Sequence, residues 1–266
     1  MPAGPDAQEP QDRARSVAAR VFAVLDAFMS PSDRLTLSEV AARSGLPVST
    51  AYRLVGELTL WGGLERGEDN RYQIGIRIWE LGQHAARELS DVARPFLQDL
   101  FEVTRENVHL CIRVGADTLY LQRFYGSRRV PLMARVGGRL PLHATAAGKV
   151  LLAYEEEWVR EAYLAGTMER RTAFTITEPG RLSRELAATR HRGYAVTSEE
   201  IRLGSCSVAV PVLGGDGAIT AAIGMVLESS RARMIAAMVP PLQGTAGRIE
   251  TALRQSGPVR GPGPRE

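Results

Sequence analysis

The stretch SGLPVSTAYRLVGEL, residues 44–58, gathers hydrogen-bonding side chains at the open end of what reads as a short helix. Ala51, Leu54, Val55 and Leu58 recur at helical spacing and form one apolar stripe, while Ser49, Thr50, Tyr52 and Arg53 hold the early exposed positions. Near a helix start, an arginine can make a bidentate contact to guanine in the major groove, and Ser, Thr and Tyr hydroxyls suit phosphate oxygens. The helix N-terminus favours phosphate too, because its first N–H groups lack intrahelical partners. Gly56, further along, permits close approach of a backbone. The chemistry these types and spacings point to is recognition of duplex DNA.

Such a tip needs elements to hold it. In TLSEVAARSGL, Thr36 with Glu39 three places on is a capping box, and Leu37, Val40 and Ala41 give that helix its apolar face. Thr36 and Ser38, at its start, join the candidate DNA contacts. Gly45 suits the left-handed residue that ends the helix, and Pro47 pre-sets the first turn of the next, so the order is helix, turn, helix. An earlier helix runs from Ser16 through Val17, Val21, Val24, Leu25 and Phe28, closed by Pro31. After the helix-turn-helix and WGG come LER and RYQI, short strands joined at GEDN, which make a wing. Arg66 and Arg71 flank its tip and could reach sugar-phosphate or the minor groove, with Glu68 and Asp69 opposing them.

Composition bounds this reading. A chain of 266 residues accommodates two domains with separate cores. Hydrophobic residues make up 44% and charged residues 24%, as in an ordinary soluble protein. The apolar runs are too short to span a membrane, and MPAGPDAQEPQD has no basic region followed by an apolar one, so a cytoplasmic location is expected. The net charge is only +3 despite a pI near 9.1. Residues 13–78 hold nine Arg against seven acids, so DNA binding must rest on where charges sit. Cys111 and Cys206 lack the spacing of a disulfide framework or a zinc site and read as buried fillers. Residues 1–12 and 255–266, rich in Pro, Gly and charge, are expected to be disordered tails.

Beyond the wing, IRIWELGQHAARELS reads as a connecting helix, with Ser90 capping a further helix, DVARPFLQDLFEVTRE, whose inner face is Leu97, Leu100, Phe101 and Thr104. NVHLCIRV, TLYLQRF, TAFTIT, CSVAVPV and AITAAIGMVL then read as strands, interrupted by helices near 145–165 and 178–192. LGGDG joins the last two strands as a hairpin, and a final helix spans about 230–254. The expected layout is α+β: a winged helix over 13–78, a linker helix over 79–93, and an α/β sheet domain over 94–254.

Catalysis is disfavoured. His143, Thr145, Lys149, Cys206 and Ser207 could be assembled into a nucleophilic site, but no G-x-S-x-G elbow, metal-binding His pair or phosphate loop accompanies them. No catalytic residue, metal or cofactor is expected. A competing class is a sensor whose winged helix contacts proteins instead of DNA.

LTLSEVAARSGLPVSTAYRLVGELTLWGGLER, RYQIGIRIWELG, RVPLMARVGGRLPLHATAAGKVLLA and RGYAVTSEEIRLGSCSVAVPVLGGDGAITAAIGMV together resemble the IclR family of bacterial transcriptional regulators, from about Ser16 to Leu253. TAFTIT and SVAVPV lean toward the branch that senses aromatic acids. The resemblance implies an N-terminal winged helix, a linker helix and a C-terminal GAF-like domain that binds a small organic effector. It also implies homodimers, or dimers of dimers, on palindromic operators, with recognition helices about one DNA turn, ~34 Å, apart. Carried over by motif, the effector-binding residues are Leu132, Ala146, Ala147, Thr197, Ser205, Ser207, Gly224 and Val226. Ser205/Ser207 and Gly224/Val226 are each two apart, so each pair faces one side of a sheet. The helix start near Thr145–Ala147 suits a carboxylate. Thr197 stands where relatives often carry an acid, and Gly224 and Val226 where small polar groups are common, which implies a more apolar effector or one held elsewhere. Arg113, Arg123 and Arg135 are either carboxylate partners or solvated strand residues.

Overall fold

The computed structural model describes residues 16–29, 34–82, 87–126 and 135–256. The chain divides into two compact units at residues 85/86. The expected tails and the candidate effector residue Leu132 lie outside the described residues, except that Gln255 and Ser256 belong to the final helix.

In the first unit, α1 (Val17–Asp26) starts where the Ser16 hydroxyl accepts from the Ala19 N–H at 3.0 Å. In α2 (Leu37–Ser44) the capping box forms as expected: Thr36 Oγ1 accepts from the Glu39 N–H, and Glu39 Oε2 accepts from the Thr36 N–H at 2.7 Å. Gly45 closes the helix at φ +68, a conformation a Cβ would strain, and the Leu46 N–H folds back onto the Ala41 carbonyl. The chain thereby turns into α3 (Val48–Trp61), whose Ala51, Leu54, Val55 and Leu58 are buried. Leu54, Val55 and Leu58 close the three-helix core with Val24, Phe28, Leu35, Val40, Leu64 and Tyr72. The wing is an antiparallel pair, β1 (Leu64–Arg66) and β2 (Tyr72–Ile74), and Leu35 bridges to Tyr72 on its far side. α4 (Ile76–Gly82) follows and buries none of its residues.

The second unit opens with α5 (Arg87–Thr104), a single helix. Ser90 therefore lies inside it and caps nothing. Its carbonyl and hydroxyl instead accept from Gln122 Nε2 at 3.1 and 2.9 Å. Next come β3 (Asn107–Val114), β4 (Asp117–Phe124), β5 (Arg139–Pro141), α6 (Ala146–Tyr154), α7 (Glu157–Ala165), α8 (Pro179–Arg192), β6 (Ala195–Ser198), β7 (Ser205–Leu213), β8 (Ile219–Glu228) and α9 (Ile235–Ser256). The six strands form one antiparallel sheet in the order β5-β4-β3-β8-β7-β6.

Helices cover both faces. Leu97, Leu100, Leu242 and Ile249 from α5 and α9 pack on Val108, Leu110, Val208, Val210, Ile223 and Met225. The other face meets α6 and α8 through Ala146, Ala147, Val150, Leu151, Leu182 and Leu186 against Cys111, Tyr120, Ala195, Ala209 and Ala222.

TAFTIT departs from expectation and is not a strand. The Thr175 hydroxyl accepts from the Arg171 and Thr172 N–H groups and donates to the Glu200 carbonyl at 2.6 Å, while Thr172 Oγ1 donates to the Glu199 carbonyl. Local side-chain to backbone bonds thus replace a ladder, an outcome open to Thr despite its strand propensity. The short β5 and β6 were not among the expected strands.

One charged pair is buried in the second unit. Lys149 Nζ of α6 lies 2.5 Å from Glu200 Oε1, with both side chains buried. Glu200 sits in the turn that leads from β6 to β7, so the pair fastens the turn before Ser205 to α6. Desolvation raises the Glu200 carboxyl above its ordinary range, outweighing the lowering by Lys149, and its Oε2 has no hydrogen-bond partner. Removing one partner leaves an uncompensated buried charge, whereas two apolar replacements leave none. Lys149→Met should destabilise the protein by about 3–5 kcal/mol in urea unfolding, and Lys149→Met/Glu200→Leu by clearly less; equal losses would show that the pairing is not what matters.

Candidate functional site

Burial of the α3 stripe decides what the helix offers to its surroundings. Tyr52 is 66% exposed, and Ser49, Arg53 and Gly56 are exposed beside it, with Thr50 half-buried. No side chain caps the start of α3, so its first N–H groups remain for an outside acceptor. At Gly56 nothing lies within 4 Å of where a Cβ would stand, which leaves that side of the helix open.

The remaining DNA-contact candidates are less uniform. Ser38 is exposed. The Thr36 hydroxyl is engaged within the capping box, donating to Glu39 Oε2 at 2.9 Å. Arg66 is exposed and lies over the Tyr72 ring, 5.7 Å from its centroid. Arg71 acts as a strut between wing and α2: its Nη1 donates to Glu39 Oε2 and to the Arg34 carbonyl, both at 3.3 Å. The Thr36 N–H and hydroxyl hold the Glu39 carboxyl below its ordinary range, with Arg71 and Arg43 adding to that. At the wing tip, Asp69 accepts from the Arg71 N–H and pairs with Arg34 at 3.7 Å, so part of the opposing charge is answered within the wing.

In the sheet, strand alternation sends Val108, Leu110, Val208, Ile223 and Met225 to one face and their neighbours to the face covered by α6. The register aligns those neighbours in rows across the strands. One row is Asn107, Val226, Ser207 and Thr197. The next is Arg123, His109, Gly224, Ala209 and Ala195, and a third is Tyr120, Cys111, Ala222 and Pro211.

Five of the effector candidates therefore stand on strands at one sheet face: Thr197, Ser205, Ser207, Gly224 and Val226. Ala146 and Ala147 begin the helix that packs on it, where Thr145 caps the first turn by accepting from the Gly148 N–H. Thr197 Oγ1 and Ser207 Oγ bond each other at 2.5 Å. Ser205 turns its hydroxyl to the Arg202 carbonyl at 2.8 Å. Gly224 is covered by a neighbour: a Cβ there would stand 2.7 Å from His109 Nε2 and 2.9 Å from the Val208 carbonyl. The absent side chain is what lets the imidazole lie across the sheet.

Sequence reasoning missed Asn107, His109 and Tyr120, which share this face. His109 is buried, its ring 5.3 Å from that of Tyr120. Burial, with the nearby Arg123 charge, pushes its pKa down to about 3, so the ring is neutral at neutral pH. The signal was present in NVHLCIRV, where Asn107, His109 and Cys111 alternate with Val108, Leu110 and Ile112. Of the three arginines weighed earlier, Arg113 is paired with Glu155 at 2.5 Å, Arg123 shares the row of His109, and Arg135 is exposed.

The nucleophile set does not assemble. Cys206 and Ser207 point to opposite faces, and burial pushes the Cys206 thiol up. The His143 ring is held by the Tyr163 hydroxyl at 2.8 Å and the Glu169 carbonyl at 3.0 Å. Among the described residues no His/Cys/Asp/Glu group could hold a metal ion, and no helix is long and apolar enough to cross a membrane.

A helix-turn-helix with an open recognition face, carried on the same chain as a sheet domain with buried polar groups along one face, defines a DNA-binding regulator with its own effector domain. The model for the IclR helix-turn-helix domain matches residues 17–68, and that for the bacterial transcriptional regulator IclR C-terminal matches residues 84–251. The chain is 33% identical over 220 residues to the HTH-type transcriptional regulator XynR of Escherichia coli, covering 80% of this chain and 86% of that one. It is 29% identical over 252 residues to the p-hydroxybenzoate hydroxylase transcriptional activator of Acinetobacter baylyi, covering 88% and 90%. An IclR homolog from Microbacterium hydrocarbonoxydans, crystallised with 4-hydroxybenzoate, superposes with a TM-score of 0.85 at 36% identity, covering 90% of this chain and all of that one. The protein belongs to the IclR family of bacterial transcriptional regulators.

The depressed His109 pKa carries a stability consequence. Between about 3 and the ordinary value of 6.5 the unfolded chain binds the extra proton and the folded chain does not, so stability falls as pH drops through that window. One such group contributes at most about 1.4 kcal/mol per pH unit. His109→Gln should flatten the acid limb of urea-derived stability between pH 6 and pH 4 by about that slope. An unaltered limb would show that His109 ionises normally in the folded protein.

Proposed function

We propose that the protein is a cytoplasmic regulator that binds a palindromic operator as a homodimer or dimer of dimers and answers to a small organic acid. The exposed α3 face carries the reading. Arg53 contacts a guanine edge, Ser49, Thr50 and Tyr52 hold phosphates, and Ser38 and Arg66 extend the backbone contacts. Thr36 and Arg71, engaged with Glu39, position the wing against α2 and contact DNA only secondarily.

The effector lies between the start of α6 and the sheet face bearing Thr197, Ser205, Ser207, Gly224 and Val226, with Ala146 and Ala147 presenting backbone N–H groups to its carboxylate. Leu132 belongs to the same set by motif. An aromatic acid is favoured by two relatives, one crystallised with 4-hydroxybenzoate and one named for activating p-hydroxybenzoate hydroxylase. No catalysis enters this reading.

The dimer is supported by α4, where Ile76, Trp79 and Leu81 are 59%, 60% and 56% exposed on a helix that buries nothing. The linker, over 79–93, transmits the signal: the acid favours one arrangement of the linker helices and so one spacing of the two winged helices. A ligand shifts such an equilibrium only through different affinities for the two arrangements, so operator and acid must change each other's affinity by the same factor.

Arg53→Ala should weaken operator binding by about 1–3 kcal/mol and relax its base preference, with wild-type affinity falling steeply as salt rises. Unchanged operator affinity in that variant would remove α3 as the reading element. Trp79→Glu should shift sedimentation toward the monomer at unaltered helicity; an intact dimer would place the interface elsewhere.

A further inference from the structure

Asn107 stands on the α6-facing side of the sheet, at the head of the row Asn107, Val226, Ser207, Thr197. The residue is 4% exposed. Nδ2 donates to the Val226 carbonyl at 3.4 Å, and Oδ1 is buried with no hydrogen-bond partner. That orientation follows from the chemistry, since a carbonyl only accepts and so must face the amide nitrogen. The oxygen is left as an acceptor in want of a donor, a state that native interiors rarely tolerate.

No donor among the described residues hydrogen-bonds this oxygen. One of the Thr197 and Ser207 hydroxyls donates to the other at 2.5 Å, which holds that pair together, and the Ser205 hydroxyl donates to the Arg202 carbonyl. An ionised carboxylate supplies no donor either, being acceptor-only. A donor elsewhere on the ligand would supply the missing proton. Beside Asn107 in the sheet, the His109 imidazole fills the room left by Gly224 and lies 5.3 Å, centroid to centroid, from the Tyr120 ring. Flat rings of this kind pack against a flat ligand.

We propose that Asn107, with His109 and Tyr120 beside it, makes the protein selective for aromatic acids that carry a second, hydrogen-bond-donating substituent, a phenolic hydroxyl or ring amine, whose proton satisfies Asn107 Oδ1. This rests on the acid-effector reading above and adds to it a residue and a rule of discrimination. Plain benzoate leaves the acceptor buried and empty, so it binds more weakly than an acid that fills it.

The test is calorimetric titration of the full-length protein with benzoate and with the 3- and 4-substituted hydroxy-, amino- and fluorobenzoates. Fluorine matches a hydroxyl closely in size and donates nothing. At least one hydroxy isomer should bind about tenfold or more tightly than its fluoro counterpart, and the amino acid of the same position should rank with the hydroxy acid. Asn107→Leu should erase the preference for that hydroxy acid over its fluoro counterpart, and continued binding of the fluoro acid reports that the pocket is intact. Should that variant fail to fold, the wild-type ranking of hydroxy and amino against fluoro decides alone. Equal binding of hydroxy and fluoro acids, or a hydroxyl preference that survives Asn107→Leu, overturns the inference and leaves the acid-effector reading standing. Binding of none of these acids overturns the inference together with the aromatic form of the acid-effector reading.

Discussion

The Ala51, Leu54, Val55 and Leu58 stripe has nowhere to go but the three-helix core, because burying each of its larger side chains is worth about 1.5–3 kcal/mol. That burial removes the rotational freedom of α3. With the stripe inward, Ser49, Tyr52 and Arg53 face outward whatever their own preferences, and the uncapped start of the helix faces outward with them. Gly45 delivers the chain to this position from α2, and the Glu39 carboxylate ties the wing back to the same helix through Arg71. The recognition surface is thus the complement of a core, held by the energy of the core and not by its own contacts.

The sheet domain applies the same rule with a period of two. Odd positions of β3 and even positions of β8 turn to the α6 side because Val108, Leu110, Ile223 and Met225 fill the other. What lies on the α6 side is unusually polar for a buried face: Asn107, His109, Thr197 and Ser205, with Lys149 and Glu200 nearby. Buried polar groups cost stability unless satisfied, and two here, Asn107 and Glu200, are satisfied only in part. A domain built for stability alone would have filled these rows with aliphatic residues, so their presence on one face supports the proposed effector site.

The two surfaces share a single chain, and the family places them in one regulator. Coupling between them is a free energy, equal in both directions, and it requires that effector and DNA each prefer one of two arrangements. Ser205 and Ser207 follow directly on the turn pinned by Lys149 and Glu200, so the α6 side of the sheet is rigidly referenced to the helix that begins with Ala146 and Ala147. A site held that firmly can convert a small difference in ligand chemistry into a difference in binding.

Much of this was legible in the residues themselves. The capping box at Thr36 and Glu39, the left-handed Gly45, the α3 stripe, the two wing strands and the LGGDG hairpin are local features, read from patterns that span no more than a few turns. TAFTIT was misread because strand propensity says nothing about whether an edge is available, and Thr172 and Thr175 spent their hydroxyls on the backbone of a segment some 25 residues away. Ser90 was misread because its partner, Gln122, lies on β4. The polar face escaped for the same reason. Asn107 and His109 alternate visibly within their strand, but only the pairing of β3 with β8, more than a hundred residues on, sets them beside Val226 and Gly224. Local chemistry thus determined each element and its inward face; which elements became neighbours, and hence which polar groups share one surface, was decided by the long-range antiparallel register, since backbone hydrogen bonds between strands carry no sequence code of their own.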